Sequence, residues 1–368
     1  MKKKFVKNMD WGILICSILL TFIGFVALFS ATQNDNYEEL KKQIMFFIVC
    51  IPIVLIVISI NYTFIARFSW VFYAIFIILL IGVLFTESIN GASSWFDIGS
   101  FSFQPAEMAK VFVILFESYV ICRIQEKGRN EINKPLKLLL IITVIAVPVL
   151  LIIKQPDYGT AAAFLVAFLF MLYTAGIDKK YIIVSIILVA ILLPLAYFYV
   201  LPEHAKTRIE VFLNPNLDPR GSGYNVIQSK LAIGAGELFG MGLLKGNQTQ
   251  LGFLYPKTTD FIYSVIGEEM GFVVAGAIII IYVILITRAV FIAKTAKDDI
   301  GSYIAIGIAG VFTFHMLENI GMTMGLLPIT GVPLLFVSYG GTSMMTSYIM
   351  LALLLSISGR RQKVIFME

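Results

Sequence analysis

Ten uninterrupted apolar stretches, joined by short polar links, leave this chain little choice of solvent. They lie near 11–31, 43–60, 67–85, 104–122, 136–153, 158–176, 181–201, 261–287, 301–320 and 335–357. Each is roughly 18 residues or longer, the length a helix needs to cross a bilayer. In hydrocarbon every backbone N–H and C=O must be bonded internally, so only helices or a closed barrel can span. Barrel strands are short and alternate in polarity, whereas these runs are continuously apolar. The expected class is therefore all-α: a polytopic membrane protein of ten transmembrane helices. Composition agrees, with 59% hydrophobic and 14% charged residues among 368, too few charges for a water-facing surface.

The basic residues cluster at span ends, which excludes a nucleic-acid surface as the reason for the net charge of +5. With the N-terminus inside, the short inner segments hold 18 Lys and Arg and the short outer ones hold 3, Lys41, Lys42 and Lys154. This bias places both termini in the cytoplasm. The three cysteines, Cys16, Cys50 and Cys122, each sit in an apolar run and suit neither a disulfide framework nor a zinc site.

One long hydrophilic segment remains, 202–260, between the seventh and eighth spans, and this orientation puts it outside. Other polar features fall at outer helix ends as well: Gln104 to Glu107, Lys154 to Asp157, Asp260, and Gly331 to Gly341. Elements far apart in sequence would thus converge at one outer site. The chain is expected to form a single membrane domain over 1–368, with 202–260 as a large extracytoplasmic loop within it.

Glu107 and Lys110 share a helix face one turn below the outer surface. Ionisable residues within spans are functional candidates; a self-neutralising pair that fixes helix packing is the alternative. Asp260 heads the eighth span, with Ser264, Gly267 and Gly271 in one angular sector and Glu268 beside it. It reads either as an N-cap, which would weaken it as a base, or as a partly buried general base. The loop cations Lys206, Arg208, Arg220, Lys230, Lys245 and Lys257 could meet a phosphate or simply stay solvated. His315 and Asn319, one turn apart, read as a polar pair between helices.

Four separated blocks resemble the SEDS family (shape, elongation, division, sporulation; RodA, FtsW and SpoVE), and most closely its RodA group. They are SSWFDIGSFSFQPAEMAKV at 93–111, KQPDYGTA at 154–161, the stretch 208–242 with TTDFIYSVIGEEMGF at 258–272, and NIGMTMGLLPITGVPLLFVSYGGTS at 319–343. The chain departs from the family pattern at Leu254-Tyr255-Pro256, at Thr258 and at Leu335.

The resemblance implies a peptidoglycan glycosyltransferase that polymerises lipid II, an undecaprenyl-diphosphate-linked disaccharide-pentapeptide, during cell-wall elongation. It would work in the bacterial cytoplasmic membrane beside a class B penicillin-binding protein and other elongation or division proteins. It implies Asp260 as catalytic base, with Glu107, Lys110, Arg208, Gln228, Ser229, Lys230, Thr259, Ser338 and Gly340 as substrate-binding residues. No resident cofactor follows; Arg208, Lys110 or a divalent cation, Mg2+ or Mn2+, would stabilise the leaving diphosphate. The rival classes are a flippase for the same lipid and a non-catalytic scaffold of a cell-wall complex.

Overall fold

The computed structural model describes residues 2–86, 94–99, 101–199, 202–218 and 221–361. Arg220 among the loop cations, Lys363 among the inner ones, Ser93 of the first resembling block and Leu201 at the end of the seventh expected span lie outside the described residues.

A short helix, α1 (Lys2–Asn8), precedes α2 (Trp11–Ala31), α3 (Glu38–Ser59) and α4 (Tyr62–Gly82). A two-stranded hairpin, β1 (Phe96–Ile98) with β2 (Phe101–Phe103), pairs Phe96 with Phe103 and turns at Gly99. Then come α5 (Pro105–Gln125), α6 (Pro135–Lys154), α7 (Tyr158–Ala175) and α8 (Lys179–Tyr199). The hydrophilic segment supplies α9 (Glu203–Leu213), α10 (Ser222–Ala235) and α11 (Asn247–Gln250), and the chain ends with α12 (Ile262–Lys294), α13 (Asp299–Thr323) and α14 (Gly341–Arg360).

The helix starts follow from local chemistry. Asp10, Asn61, Asp157 and Asp298 accept from the first-turn amides of α2, α4, α7 and α13, satisfying donors a helix leaves open. Pro105 and Pro135 open α5 and α6, where their missing N–H costs nothing.

Among the described residues, eight helices are long and apolar enough to cross a membrane: α2, α3, α4 with its following turn, α6, α7, α12, α13 and α14. α5 and α8 are 21 residues each. α5 carries Glu107, Lys110 and Glu117, charges that lower its apolar score but are buried.

The centre of the bundle is α13 and α14. Their spans are 67% and 83% buried, against 11% for α3 and 22% for α4, which lie at the edge. α13 packs on α7 and α12, α14 on α3, α2 on α12, and α4 on α5. Lipid offers no hydrophobic drive between helices, so close packing through small residues takes its place. Gly310 of α13 shows this: a Cβ there would come 2.9 Å from the Ala167 Cα of α7. The large apolar side chains instead point outward, as at Ile48, Leu55, Trp70, Ile78 and Leu136.

One sequence expectation changes here. The eighth span is broken at Gly271, whose φ of 76° and ψ of −178° are not helical. Gly271 therefore leaves the sector of Ser264 and Gly267. A Cβ at Gly271 would sit 2.2 Å from the Gly240 nitrogen, so the break lets the 236–242 turn press against α12. There Met241 and Gly242 amides donate to the Glu268 and Glu269 carbonyls, and Phe272 and Val273 amides to Glu237 and Leu238.

Among the described residues the hydrophilic segment contributes three helices, α9, α10 and α11. α10 buries Val226, Ser229 and Ala232 against α12 and α13.

Candidate active site

Asp260 lies just before α12, between the 331–340 segment and α9. Its carbonyl accepts from Asn319 Nδ2 at 3.0 Å, and the same amide donates to Val332 O at 2.9 Å. A Cβ on Gly331 would lie 3.5 Å from Asp260 Oδ2, so the carboxylate rests on glycine backbone. The helix N-cap is Phe261, with no side-chain cap bond; the carboxylate is thus not spent on the helix.

Desolvation pushes Asp260 up from 3.8 to about 6, against the Thr259 hydroxyl and the Arg208 guanidinium, which lower it; the Asp157 charge adds to the rise. Its surface is only partly covered, so surrounding protein removes water while access remains. A carboxylate in that state is basic enough to take a proton near neutral pH.

Asp157 comes from the turn between α6 and α7. Its Oδ1 accepts from Thr160 N at 3.0 Å and its Oδ2 from Gln104 Nε2 at 3.0 Å. It too is pushed up, first by desolvation and then by Glu107, while Thr160 and Lys110 lower it.

Behind it lies a buried chain of charge. Lys110 Nζ donates to Glu107 Oε1 at 2.6 Å and contacts His315 Nε2 at 2.9 Å; His315 Nδ1 lies 2.9 Å from Pro333 O. A carbonyl can only accept, so Nδ1 carries the proton and Nε2 accepts from the ammonium. Glu107 and Lys110 are each 1% exposed. This corrects the expected His315–Asn319 pair: each bonds elsewhere, His315 to Lys110 and Pro333, Asn319 to Asp260 and Val332.

The remaining site residues divide by what they touch. Arg208, on α9, acts on Asp260 and, with Val226, Lys230 and Ile329, lines a cleft at this face. Lys230 is exposed and lies over Gly325, whose Cβ would meet Lys230 Cε at 2.1 Å. Gln228 is half-buried on α10. Ser229 is fully buried; its Oγ meets Ser264 Oγ and Thr323 O, each at 2.6 Å, pinning α10 to α12 and α13.

Ser338 Oγ donates to Thr259 O at 2.7 Å and accepts from Leu334 N at 2.9 Å. Gly340 N donates to Gln43 Oε1 at 3.1 Å, while Gln43 Nε2 donates to Ser338 O at 2.9 Å. Ser338 and Thr259 thus hold the 333–340 segment against the turn that carries Asp260, and Gly340 ties it to α3.

Glu268 and Glu269 serve the fold. Glu268 accepts from the Gln248 and Thr249 amides at 2.7 and 3.0 Å, and Glu269 accepts from Gly246 N and Gln250 Nε2. Gln104, Asp157 and Gln43 are not among the expected site residues. Gln104 and Asp157 carry a sequence signal, as polar groups at expected outer helix ends, and Gln43 carries none.

The family model described as a cell cycle protein, FtsW/RodA/SpoVE, matches residues 10–363. This chain belongs to that family. It is 32% identical to the peptidoglycan glycosyltransferase RodA of Treponema pallidum, over 98% of this chain and 100% of that one. It is 37% identical to the peptidoglycan glycosyltransferase MrdB of Escherichia coli, over 79% of this chain and 77% of that protein.

The fold is shared with solved structures. One, from work on polymerisation and crosslinking by a peptidoglycan synthase complex, matches with TM-score 0.81 and 27% identity over 95% of this chain and 97% of that one. Thermus thermophilus rod shape determining protein RodA matches with TM-score 0.72 and 24% identity over 96% of this chain and 98% of its own, a likeness of fold. This family member therefore carries its paired carboxylates on the common SEDS scaffold.

Proposed function

We propose that this chain is a peptidoglycan glycosyltransferase that polymerises lipid II at the outer face of the bacterial cytoplasmic membrane. All ten long helices, α5 and α8 included, would span, with both termini cytoplasmic and 202–260 outside as part of one domain. The observation that carries the reading is Asp260: a carboxylate raised to about 6, left unspent by its helix, with Arg208 acting on it.

Asp260 takes the proton from the acceptor sugar 4-hydroxyl as that oxygen attacks the donor anomeric carbon. The bond to the lipid diphosphate breaks with inversion, and the electron pair leaves on the diphosphate. Arg208, on the cleft with Lys230, meets that developing charge, where a fixed cation stabilises the transition state. Lys110 is enclosed by Glu107 and His315, so it acts through Asp157 and holds the negative pair in balance. Ser229, Ser338, Thr259 and Gly340 position the segments around Asp260, and Gln228 lies half-buried on α10.

Among the described residues no group of three or more His, Cys, Asp or Glu side chains could hold a metal ion. A divalent cation would thus take most of its ligands from substrate phosphates and water, as Mg2+ commonly does. No step here passes through one. A class B penicillin-binding protein would cross-link the product glycan; the TM-score 0.81 match comes from work on a peptidoglycan synthase complex.

The test is polymerisation of purified lipid II, with and without that partner, beside Asp260→Ala. A lost general base lowers rate by about 10²–10⁴. Long glycan from a folded Asp260→Ala protein would end the assignment. No glycan from the unaltered protein with a partner would turn attention to lipid transport.

A further inference from the structure

At the opposite face of the bundle, the one bearing the start of α4 and the end of α5, lies a cleft of about 410 Å³. That falls within the ~300–1,000 Å³ of small-molecule sites. Phe64, Arg67, Tyr119, Arg123, Glu126 and Ile300 line it. None of them belongs to the site described above.

Arg67 is exposed and, among the described residues, has no hydrogen bond, ion pair or ring partner. It stands five residues into α4, about 7.5 Å along the helix at 1.5 Å per residue. A guanidinium at that depth reaches for an anion in the interface. Arg123 is already engaged: Nη1 donates to Glu126 Oε1 at 2.7 Å and Nε to Tyr119 Oη at 2.9 Å. Its Nη2 remains.

From the cleft an apolar stripe runs along α4 through Phe64, Phe68, Val71, Ile75 and Ile78, all exposed. Their spacing keeps them on one helix face, as an acyl chain lying beside the helix would need.

The cleft is not purely cationic. Glu126 lines it, and Asp299 and Asp298 lie near enough to act on Cys122 at its wall. Asp298 is taken by Tyr62 Oη and Gly301 N, but Asp299 is exposed. A headgroup with only negative charge would meet these carboxylates as well as the two arginines. A headgroup with both a phosphate and an ammonium satisfies both signs.

We propose that this cleft is a binding site for an amine-headed phospholipid of the phosphatidylethanolamine type. The phosphate sits on Arg67 and the remaining Arg123 donor. The ammonium sits on Glu126 and Asp299, and one acyl chain follows the α4 stripe. Bidentate guanidinium–phosphate geometry gives Arg67 its hold on the headgroup, and the carboxylates favour the amine.

The experiment places the purified full-length protein in nanodiscs of equal phosphatidylethanolamine, phosphatidylglycerol and phosphatidylcholine, then measures retained lipid by native mass spectrometry. Arg67→Ala, Glu126→Gln and, as a cation on the same face outside the cleft, Lys294→Ala are compared. Arg67 is exposed, so its variant should fold, and thermal melting checks this. Phosphatidylethanolamine is expected to be retained preferentially. Arg67→Ala should lower its retention about tenfold, as one charge-assisted contact is lost, and Lys294→Ala should leave it unchanged. Glu126→Gln should shift preference toward phosphatidylglycerol. Equal or better retention of phosphatidylglycerol by the unaltered protein overturns the proposal. So does indifference to Arg67→Ala, or occupation of the cleft only by a co-purified protein.

Discussion

Replacing Asp260 by Asn should abolish polymerisation and, above pH 6, make the protein more stable. A rise from 3.8 to about 6 means that the folded protein spends up to about 3 kcal/mol to hold the carboxylate ionised. Part of the side chain remains accessible, so water screening reduces the net to about 1–2 kcal/mol. The direction follows from linkage. The folded pKa lies above the unfolded one, so the folded state binds the proton more tightly. The destabilisation is absent below pH 3.8, grows as pH rises through the interval, and is complete above about 6. Asn mimics the protonated form and escapes it. Thermal unfolding in detergent at pH 5 and pH 8 should show Asp260→Asn gaining a few degrees at pH 8 and much less at pH 5. The unaltered enzyme should lose rate as pH falls through about 6, as the base takes up its proton. A variant less stable than the parent at pH 8, or a rate flat from pH 5 to 8, would refute the burial argument.

Lys110→Met should destabilise by about 3–5 kcal/mol, because it strands the Glu107 carboxylate in a site that is 1% exposed. The double change with Glu107→Leu should recover much of that in melting temperature. Gly271→Ala should fail to give a stable protein, since its Cβ meets Gly240 N at 2.2 Å and its φ is positive, whereas Gly276→Ala, with nothing within 4 Å, should melt like the parent. Glu268→Ala should leave the Gln248 and Thr249 amides without their acceptor, at about 1–3 kcal/mol for each buried donor; hydrogen exchange should speed up at both amides while α14 stays protected.

The sequence by itself determined the class, because hydrocarbon length and backbone hydrogen bonding leave a chain of long apolar runs only one architecture. It also marked Asp260, Glu107 and Lys110, since charge beside or within such runs stands out against the apolar background. It could not place partners across the bundle. That Lys110 turns to His315 rather than to open surface, and that Asn319 holds Asp260's carbonyl, depend on how α5 and α13 pack, which no local pattern encodes. The break at Gly271 was hidden for the same reason: a single glycine in an apolar run reads as helix until the 236–242 turn is seen pressed against it. Asp157 read only as a polar turn, and became part of the site because tertiary packing brought α7 beside Asp260. Local chemistry fixes spans and caps. The carboxylate's basicity is set by how much water the assembled bundle removes from around it.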